Sequence, residues 1–399
     1  MNPLLGRLQP YPFERLRAMM AEVTPNAAKR AIDLSIGEPK HPAPPLLVDA
    51  LARAAASGVA NYPTTAGSLA LREAIAQWLC RRHRLDALDA RSEVLPVLGS
   101  REALFAFGQA VIDGSRVGAT VVVPNPFYQI YEGAALLAGA QIHCVNADPH
   151  AGFAHAWQRV PASVWSRTQL LYVCTPDNPT GRVMPGDEWR ELFALSDRYG
   201  FVIASDECYS EIYFDEGKPP LGALAAAKAL GRDGFPRLVV FGSLSKRSNA
   251  PGLRSGYVAG DRTLIQAFLT YRTYHGSAMS GAVAQASIAA WNDEAHVVRN
   301  RAAYAAKFAL LAPRLAQSMP CEMPEAAFYL WAQTPGDDAA FARRLLAEEN
   351  VAVLPGSLLA RDAGGVNPGA GRVRIALVAE LAQCSEAVER IVHCVRRHW

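Results

Sequence analysis

The chain has 399 residues, of which 50% are hydrophobic and 19% are charged, and its formal net charge at pH 7 is +3. Disorder requires few apolar and many charged residues, and a transmembrane helix requires about 20 consecutive apolar residues, which this sequence lacks. So small a net charge gives no support to a nucleic-acid or anionic-membrane partner.

The number and spacing of the cysteines, histidines and lysines limit the kinds of site that the chain can form. The seven cysteines are widely spaced without a CxxC pair, so we expect free thiols rather than a disulfide framework. No HExxH or similar histidine cluster is present, and we expect no zinc site. Chemistry that needs a lysine has only six candidates, which are Lys29, Lys40, Lys218, Lys228, Lys246 and Lys307.

The N-terminal 45 residues are punctuated by prolines and predict an arm rather than a core. Arg7, Pro10 and Pro12 interrupt the first apolar residues before a signal-peptide core can form. Together with the free cysteines, this leads us to expect a cytoplasmic protein.

Beyond the arm, helical and strand patterns alternate. Apolar helical runs at 67–82 and 100–113 are interleaved with short β-rich runs, which lie at 94–98, 119–123, 169–174, 201–205 and 238–242. Residues 186–199 illustrate a helix, because Trp189, Leu192, Phe193 and Ser196 recur on one side and Gly200 follows as a stop signal. The alternation predicts an α/β fold with a mostly parallel central sheet flanked by helices.

After about residue 285 the alternation weakens. A long helix (293–318), short strands near 326–332, 351–354 and 372–377, and a closing helix (380–397) predict a smaller α+β domain. We therefore predict an arm that joins the small domain (1–45), a large α/β domain (46–285) and a C-terminal small domain (286–399).

Polar residues follow the predicted strands, and ligands of open parallel sheets bind beyond the carboxyl ends of the strands. Neither a GxGxxG motif after a strand nor a GxxxxGK[ST] motif is present, which argues against dinucleotide and P-loop sites. The polar residues form five groups: 99–101, 124–126, 177–181, 206–209 and 243–246.

The motifs in these groups resemble a known family. DNPTG (177–181), SDECY (205–209), SLSK (243–246) and GLRSG (252–256) are similar, in order and spacing, to motifs of the class I/II aminotransferases. These enzymes have the fold type I pyridoxal-phosphate architecture. The resemblance implies a pyridoxal 5'-phosphate enzyme that transfers amino groups by ping-pong transamination.

The resemblance also implies catalytic roles for three residues. Lys246 would bind the cofactor as a Schiff base and then shuttle a proton as a free amine, which needs a lowered pKa. Asp206 would pair with the pyridine nitrogen. Tyr209, together with Asn178, would donate hydrogen bonds to the ring O3′.

The resemblance implies that further residues bind the phosphate and the ring of the cofactor. Tyr128 would stack on the ring, and Tyr62 would reach the phosphate of a partner subunit, so that a homodimer shares its active sites. The phosphate would accept hydrogen bonds from the backbone of Ser100 and Arg101, the hydroxyls of Ser243 and Ser245, and the guanidinium of Arg254.

Arg374 is the expected ligand of the substrate carboxylate, assisted by Gly37 and Asn178. Arg372 lies nearby, and from strand alternation we expect only one of the two arginines to face the site. A substrate with several carboxylates would need a further cation, for which Lys40, Arg15 and Arg101 are candidates.

Four stretches outside the core motifs, 1–17, 34–44, 98–107 and 243–257, look closest to the bacterial N-succinyldiaminopimelate aminotransferases of lysine biosynthesis. The partners would then be N-succinyl-LL-2,6-diaminopimelate and 2-oxoglutarate. Alternatives are another donor of the same class (aspartate, aromatic or kynurenine, alanine), a pyridoxal-phosphate β-lyase, and a non-catalytic pyridoxal-phosphate sensor.

Overall fold

The computed structural model describes residues 1–399. Its helices are α1 (Pro12–Met20), α2 (Pro45–Gly58), α3 (Leu69–His83), α4 (Ser100–Val111), α5 (Ile130–Leu137), α6 (Ala162–Trp165), α7 (Gly186–Tyr199), α8 (Ala223–Ala229), α9 (Leu244–Arg247), α10 (Arg262–His275), α11 (Gly281–Trp291), α12 (Ala295–Ala316), α13 (Asp338–Glu349) and α14 (Leu381–His398). Its strands are β1 (Ile32–Asp33), β2 (Val94–Val97), β3 (Thr120–Asn125), β4 (Gln141–Asp148), β5 (Ala154–His155), β6 (Thr168–Cys174), β7 (Val202–Asp206), β8 (Leu238–Ser243), β9 (Gly256–Gly260), β10 (Tyr329–Gln333), β11 (Val351–Ala352), β12 (Leu354–Pro355) and β13 (Arg372–Ala376).

An eight-stranded sheet forms the centre of the molecule, with strand order β2-β9-β8-β7-β6-β3-β4-β5. The pairings from β4 through β3, β6 and β7 to β8 are all parallel. Strand β9 runs antiparallel to both of its neighbours, and β5 is antiparallel to β4. The predicted α/β class with a mostly parallel sheet is confirmed.

Helices cover both faces of this sheet because its strands are apolar on both sides. Along β6, Leu170 and Tyr172 enter one apolar core, whereas Leu171 and Val173 enter another on the opposite face. Such strands read as continuous apolar runs, which is why the sequence pattern reveals them.

Helix α7 forms as its sequence predicts. Trp189, Leu192, Phe193 and Ser196 are buried on its inner side. Gly200 ends the helix in the left-handed conformation, with φ 81°, where a residue without a Cβ avoids steric cost.

The C-terminal part of the chain forms a second body around its own core. Strands β10, β13 and β12 make an antiparallel sheet, packed with α12, α13 and α14. Strand β1 of the arm pairs in parallel with β11, and Ile32 and Leu34 enter the same core. The predicted domain bounds themselves stay a prediction.

No helix combines the length and the apolar character needed to cross a membrane. All seven cysteines are free thiols.

Candidate active site

A cavity of about 420 Å³ opens where the central sheet meets the second body. The ends of β6 and β7 and the turn after β8 form part of its wall, as expected for the carboxyl ends of parallel strands. Most of the predicted site residues line it: Gly37, Ser100, Arg101, Tyr128, Asn178, Asp206, Tyr209, Ser245, Lys246, Arg254 and Arg374.

Lys246 presents its amine to this cavity from the one-turn helix α9. Its Nζ donates a hydrogen bond to the Gly37 carbonyl oxygen at 2.7 Å. Burial, which disfavours the charged amine, lowers the pKa of Lys246 to about 8. The amine is therefore close to the balance between its two protonation states near neutral pH.

Asp206 ends β7 and is only 4% exposed. Its Oδ2 accepts a hydrogen bond from the Tyr131 hydroxyl at 2.9 Å, and its Oδ1 accepts one from the Cys208 backbone amide at 3.2 Å. Burial raises the pKa of Asp206, while these hydrogen bonds act in the opposite direction. The result is a fixed, buried carboxyl group in the cavity wall.

The start of α4 and Arg254 together form a group of hydrogen-bond donors that could bind an anion. Helix α4 begins at Ser100, so its first backbone amides have no partner within the helix. Gly99 precedes it with φ 83°, and a Cβ there would lie 2.3 Å from Arg254 Nη2. The same Nη2 donates to the Leu98 carbonyl at 3.1 Å. Only glycine allows the guanidinium to approach the helix start this closely.

Arg374 enters the cavity from β13 and is 3% exposed. Its Nη1 donates to Asn178 Oδ1 at 2.9 Å, and its Nη2 donates to the Ser35 carbonyl at 2.8 Å. Its guanidinium lies 4.3 Å from the centre of the Tyr329 ring. These contacts fix the planar fork in one orientation.

Arg372 does not reach this cavity. Its guanidinium stacks 5.0 Å from the Phe153 ring centre, in a separate cavity of about 200 Å³. Only one of the two arginines lines this cavity, but strand alternation is the wrong reason to expect it. Residues two apart on a strand share a face, and Arg372 is separated by its distance along β13.

Two tyrosines complete the wall beside Arg374. The hydroxyls of Tyr209 and Tyr329 lie 2.8 Å apart, and burial raises the pKa of each phenol. A Cβ on Gly37 would lie 1.9 Å from the Tyr329 hydroxyl oxygen, so this position also requires glycine.

Comparisons with known proteins agree with this geometry. Residues 29–391 match the family described as aminotransferase class I and II. The chain belongs to this family. It is 53% identical to the crystal structure of an aminotransferase from Neisseria meningitidis, with a TM-score of 0.96 over 99% of this chain and 100% of that one. An LL-diaminopimelate aminotransferase from Nitratidesulfovibrio vulgaris is 30% identical over 98% of this chain and 97% of the relative.

Class I and II aminotransferases depend on pyridoxal phosphate, and the cavity of this aminotransferase fits that cofactor. Its aldehyde needs an amine, its ring nitrogen needs a buried acid, and its phosphate needs several donors. The cavity offers all three: the amine of Lys246, the buried acid Asp206, and the hydrogen-bond donors around Gly99 and Arg254. Gly99 leaves room for the Arg254 guanidinium beside the start of α4, where both could contact the phosphate.

Two of the predicted cofactor residues do not line the cavity of this aminotransferase. The Ser243 Oγ accepts the Ser245 backbone amide at 3.0 Å and lies 2.8 Å from Ser245 Oγ, so Ser243 caps α9. Its contact with the phosphate stays a prediction. Tyr62 is fully exposed within this chain, and its contact with a partner's phosphate stays a prediction.

Several lining residues were not found from the sequence. The arm contributes Tyr11 and Phe13, and the Arg101 guanidinium lies 5.0 Å from the Tyr11 ring centre. No local pattern ties the arm to the site, because the contact depends on how the chain folds back. The others are Pro12, Ile36, Gln129, Cys174, Cys208, Pro251, Tyr329 and Leu359. Cys208 lies within the recognised SDECY motif and could have been found there.

Proposed function

We propose that this aminotransferase transfers the amino group of N-succinyl-LL-2,6-diaminopimelate to 2-oxoglutarate. The charge of the cavity carries the proposal. Its lining contains the cations Arg101, Lys246, Arg254 and Arg374 but only one carboxylate, Asp206. Lys246 and Arg254 are proposed for the cofactor and Arg374 for the α-carboxylate, which leaves Arg101 for a second anionic group of the donor.

Of the three cations considered for the distal end of the donor, Arg101 is supported best. Lys40 lies outside the lining and pairs with Glu38 at 3.0 Å on the surface. Arg15 is also outside the lining. Arg101 lines the cavity and has no carboxylate partner, so its charge is free for a ligand.

Free LL-diaminopimelate is the second candidate, because relatives about 30% identical to this chain bear the name LL-diaminopimelate aminotransferase. The distal end of that donor carries an ammonium group beside its carboxylate, and the ammonium group needs an acceptor. The single lining carboxylate, Asp206, already accepts hydrogen bonds from Tyr131 and Cys208. The succinylated donor, whose distal end carries two carboxylates and no ammonium group, suits the lining better.

The side chains support transamination as follows. When bound, pyridoxal phosphate supplies an electron sink that weakens the bond between Cα and its hydrogen. Lys246 takes up and releases the Cα proton, which its pKa of about 8 permits near neutral pH. The Gly37 carbonyl orients the Lys246 amine, and Arg374 holds the donor carboxylate so that Cα lies close to that amine.

Asp206 and Tyr209 support the same chemistry from the cavity wall. Tyr131 and the Cys208 amide hold the Asp206 carboxyl in place, and their hydrogen bonds favour the ionised form that would pair with a protonated ring nitrogen. The Tyr209 hydroxyl, positioned by Tyr329, is available as a donor to the ring oxygen together with Asn178.

The test is the kcat/KM of the purified holoenzyme for a panel of donors with 2-oxoglutarate. We expect N-succinyl-LL-diaminopimelate to exceed LL-diaminopimelate, aspartate, kynurenine and alanine by at least about tenfold, the effect of one charged contact. Arg101→Leu should remove most of this preference, whereas Arg17→Leu, on the exposed side of α1, should keep it. Equal turnover of any competing donor, or pyruvate release from cystathionine as the main activity, would contradict the proposal.

We also propose that the working unit is a homodimer in which Tyr62 of each chain reaches the phosphate site of the other. Tyr62 is fully exposed in the single chain, where a large aromatic side chain gains nothing from burial. Arg254, one of the residues proposed to bind the phosphate, is also exposed, so it is accessible to a second chain.

A further inference from the structure

A second buried lysine lies outside the cavity. Lys307 of α12 is 2% exposed, and its Nζ lies 2.7 Å from His41 Nε2, 3.2 Å from the Leu377 carbonyl and 3.4 Å from the Val378 carbonyl. A lysine is almost never fully buried unless its donors are satisfied, and here three acceptors meet its three donors.

His41 connects this lysine to the catalytic lysine. With Nε2 accepting from Lys307, the other ring nitrogen carries the proton, and Nδ1 donates to Asn300 Oδ1 at 2.9 Å. The amide nitrogen of Asn300 donates in turn to the backbone carbonyl of Lys246 at 3.4 Å. Asn249, three residues after Lys246, also donates to Asn300 Oδ1, at 3.0 Å.

One face of α12 carries the network. Asn300, Tyr304 and Lys307 are four and three residues apart, so they lie on the same side of the helix. His41 lies between the ends of this row, with its ring 4.7 Å from the Tyr304 ring. The arm is therefore attached to α12 at His41.

The attached segment, residues 35–41, also contacts the active site. The Ser35 carbonyl accepts from Arg374 Nη2 at 2.8 Å, and the Gly37 carbonyl accepts from Lys246 Nζ at 2.7 Å. These two carbonyls thus contact the proposed carboxylate ligand and the proposed catalytic amine. A shift of this segment would disturb both.

Charge balance favours one protonation state of the network. Burial lowers the pKa of Lys307 to about 8, with Cys384 and Glu380 acting to raise it. Burial also lowers the pKa of His41, with Asn300 and Glu380 acting to raise it and Lys307 to lower it further. A charged Lys307 beside a neutral His41 is therefore the state near neutral pH.

We propose that Lys307 and His41 are positioning residues of the transamination reaction: they fix residues 35–41 on α12, and through this segment they orient Arg374 and the Lys246 amine. The inference concerns the reaction of this family whichever donor is used. Its failure would leave the donor assignment untouched.

The test compares Lys307→Met and His41→Leu with the wild-type holoenzyme. We expect KM for the preferred amino donor to rise at least about tenfold, the effect of losing one charged hydrogen bond, with a smaller change in kcat. Amide hydrogen exchange of residues 35–41 should become faster. Lys228→Met, which removes a surface lysine paired with Asp86, should change neither quantity.

The variant His41→Gln distinguishes a positioning role of His41 from a general contribution to the stability of the protein. Its amide oxygen can accept from Lys307 as Nε2 does, so KM should return toward the wild-type value relative to His41→Leu. This comparison stands even if Lys307→Met does not fold. Unchanged KM in His41→Leu, a KM for His41→Gln no better than that for His41→Leu, or unaltered exchange of residues 35–41 would each overturn the proposal.

Discussion

Arg374 is the side chain on which recognition of the donor carboxylate depends in this account. Replacing it by leucine removes a buried fork that Asn178 and Ser35 hold in place. Losing such a charged contact costs about 100-fold in kcat/KM for every donor, chiefly through KM. Steady-state kinetics of Arg374→Leu should give this result, with the cofactor still bound.

Arg372→Leu is the matched control, because the two arginines lie on the same strand but in separate cavities. We expect its kcat/KM to stay within about twofold of the wild type, as for a substitution away from the site. A larger loss in Arg372→Leu than in Arg374→Leu would reverse the assignment.

The position of many predicted site residues could be deduced from the motifs, because DNPTG, SDECY and SLSK lie at the ends of β6, β7 and β8, which face the cavity. The motif alone does not reveal that the Ser243 hydroxyl caps α9, because a hydroxyl at the end of a strand can cap the next helix as well as face a ligand. Tyr11 and Phe13 were missed because their contacts join the arm to residues far along the chain, which local patterns do not encode.

The junction between β2 and α4 depends on Gly99. Gly99→Ala would place a Cβ against the Arg254 guanidinium and strain a backbone at φ 83°. We expect the dissociation constant for pyridoxal phosphate to rise about tenfold, because the displaced arginine loses a charged contact to the phosphate. Absorbance titration of the apoenzyme measures this constant.

Gly200→Ala matches the backbone strain of Gly99→Ala without the clash, since φ is 81° and nothing lies within 4 Å of the added Cβ. Both variants should lose about 1 kcal/mol of stability. Cofactor affinity should change only in Gly99→Ala. Equal weakening in both variants would show that strain, and not the arginine, controls affinity.

The elements that the sequence revealed are those with a strong pattern. Helix α7, predicted at 186–199, has those same bounds, and α12 differs by two residues at each end from 293–318. Strand β4 was missed because it is half-exposed near the sheet edge and lacks a continuous apolar run. Strand β9 was missed because it is short and begins and ends with glycine.

Stability of the whole molecule should respond to acid through His83. Burial lowers the pKa of this histidine to about 3, so it stays neutral in the folded protein. Below about pH 6.5 the unfolded chain takes up a proton that the folded chain does not, and the free energy of unfolding falls by up to about 1.4 kcal/mol per pH unit.

Buried Glu207 has the opposite effect on the free energy of unfolding as the pH falls, because burial raises its pKa to about 7. The measurement therefore compares urea unfolding of the wild type and His83→Phe between about pH 7 and about pH 5. The wild type should lose stability relative to the variant as the pH falls. Parallel curves would contradict a neutral buried His83.

The proposed dimer places Tyr62 in the partner's phosphate site. Tyr62→Phe should weaken cofactor binding about tenfold without dissociating the dimer, since it removes one hydrogen bond to a charged group. Tyr274→Phe, another exposed tyrosine, is the control. Analytical ultracentrifugation and absorbance titration give both quantities. A monomer with full activity would contradict the shared site.

The identity of the catalytic lysine is the central claim, and Lys246→Ala tests it most directly. The purified wild type should carry a yellow chromophore near neutral pH, because the Lys246 amine joins the cofactor in the cavity. In Lys246→Ala this chromophore should be lost, and turnover with every donor should fall by at least about 10²-fold, the smallest effect expected for a group that transfers the proton. Undiminished turnover in Lys246→Ala would contradict the account.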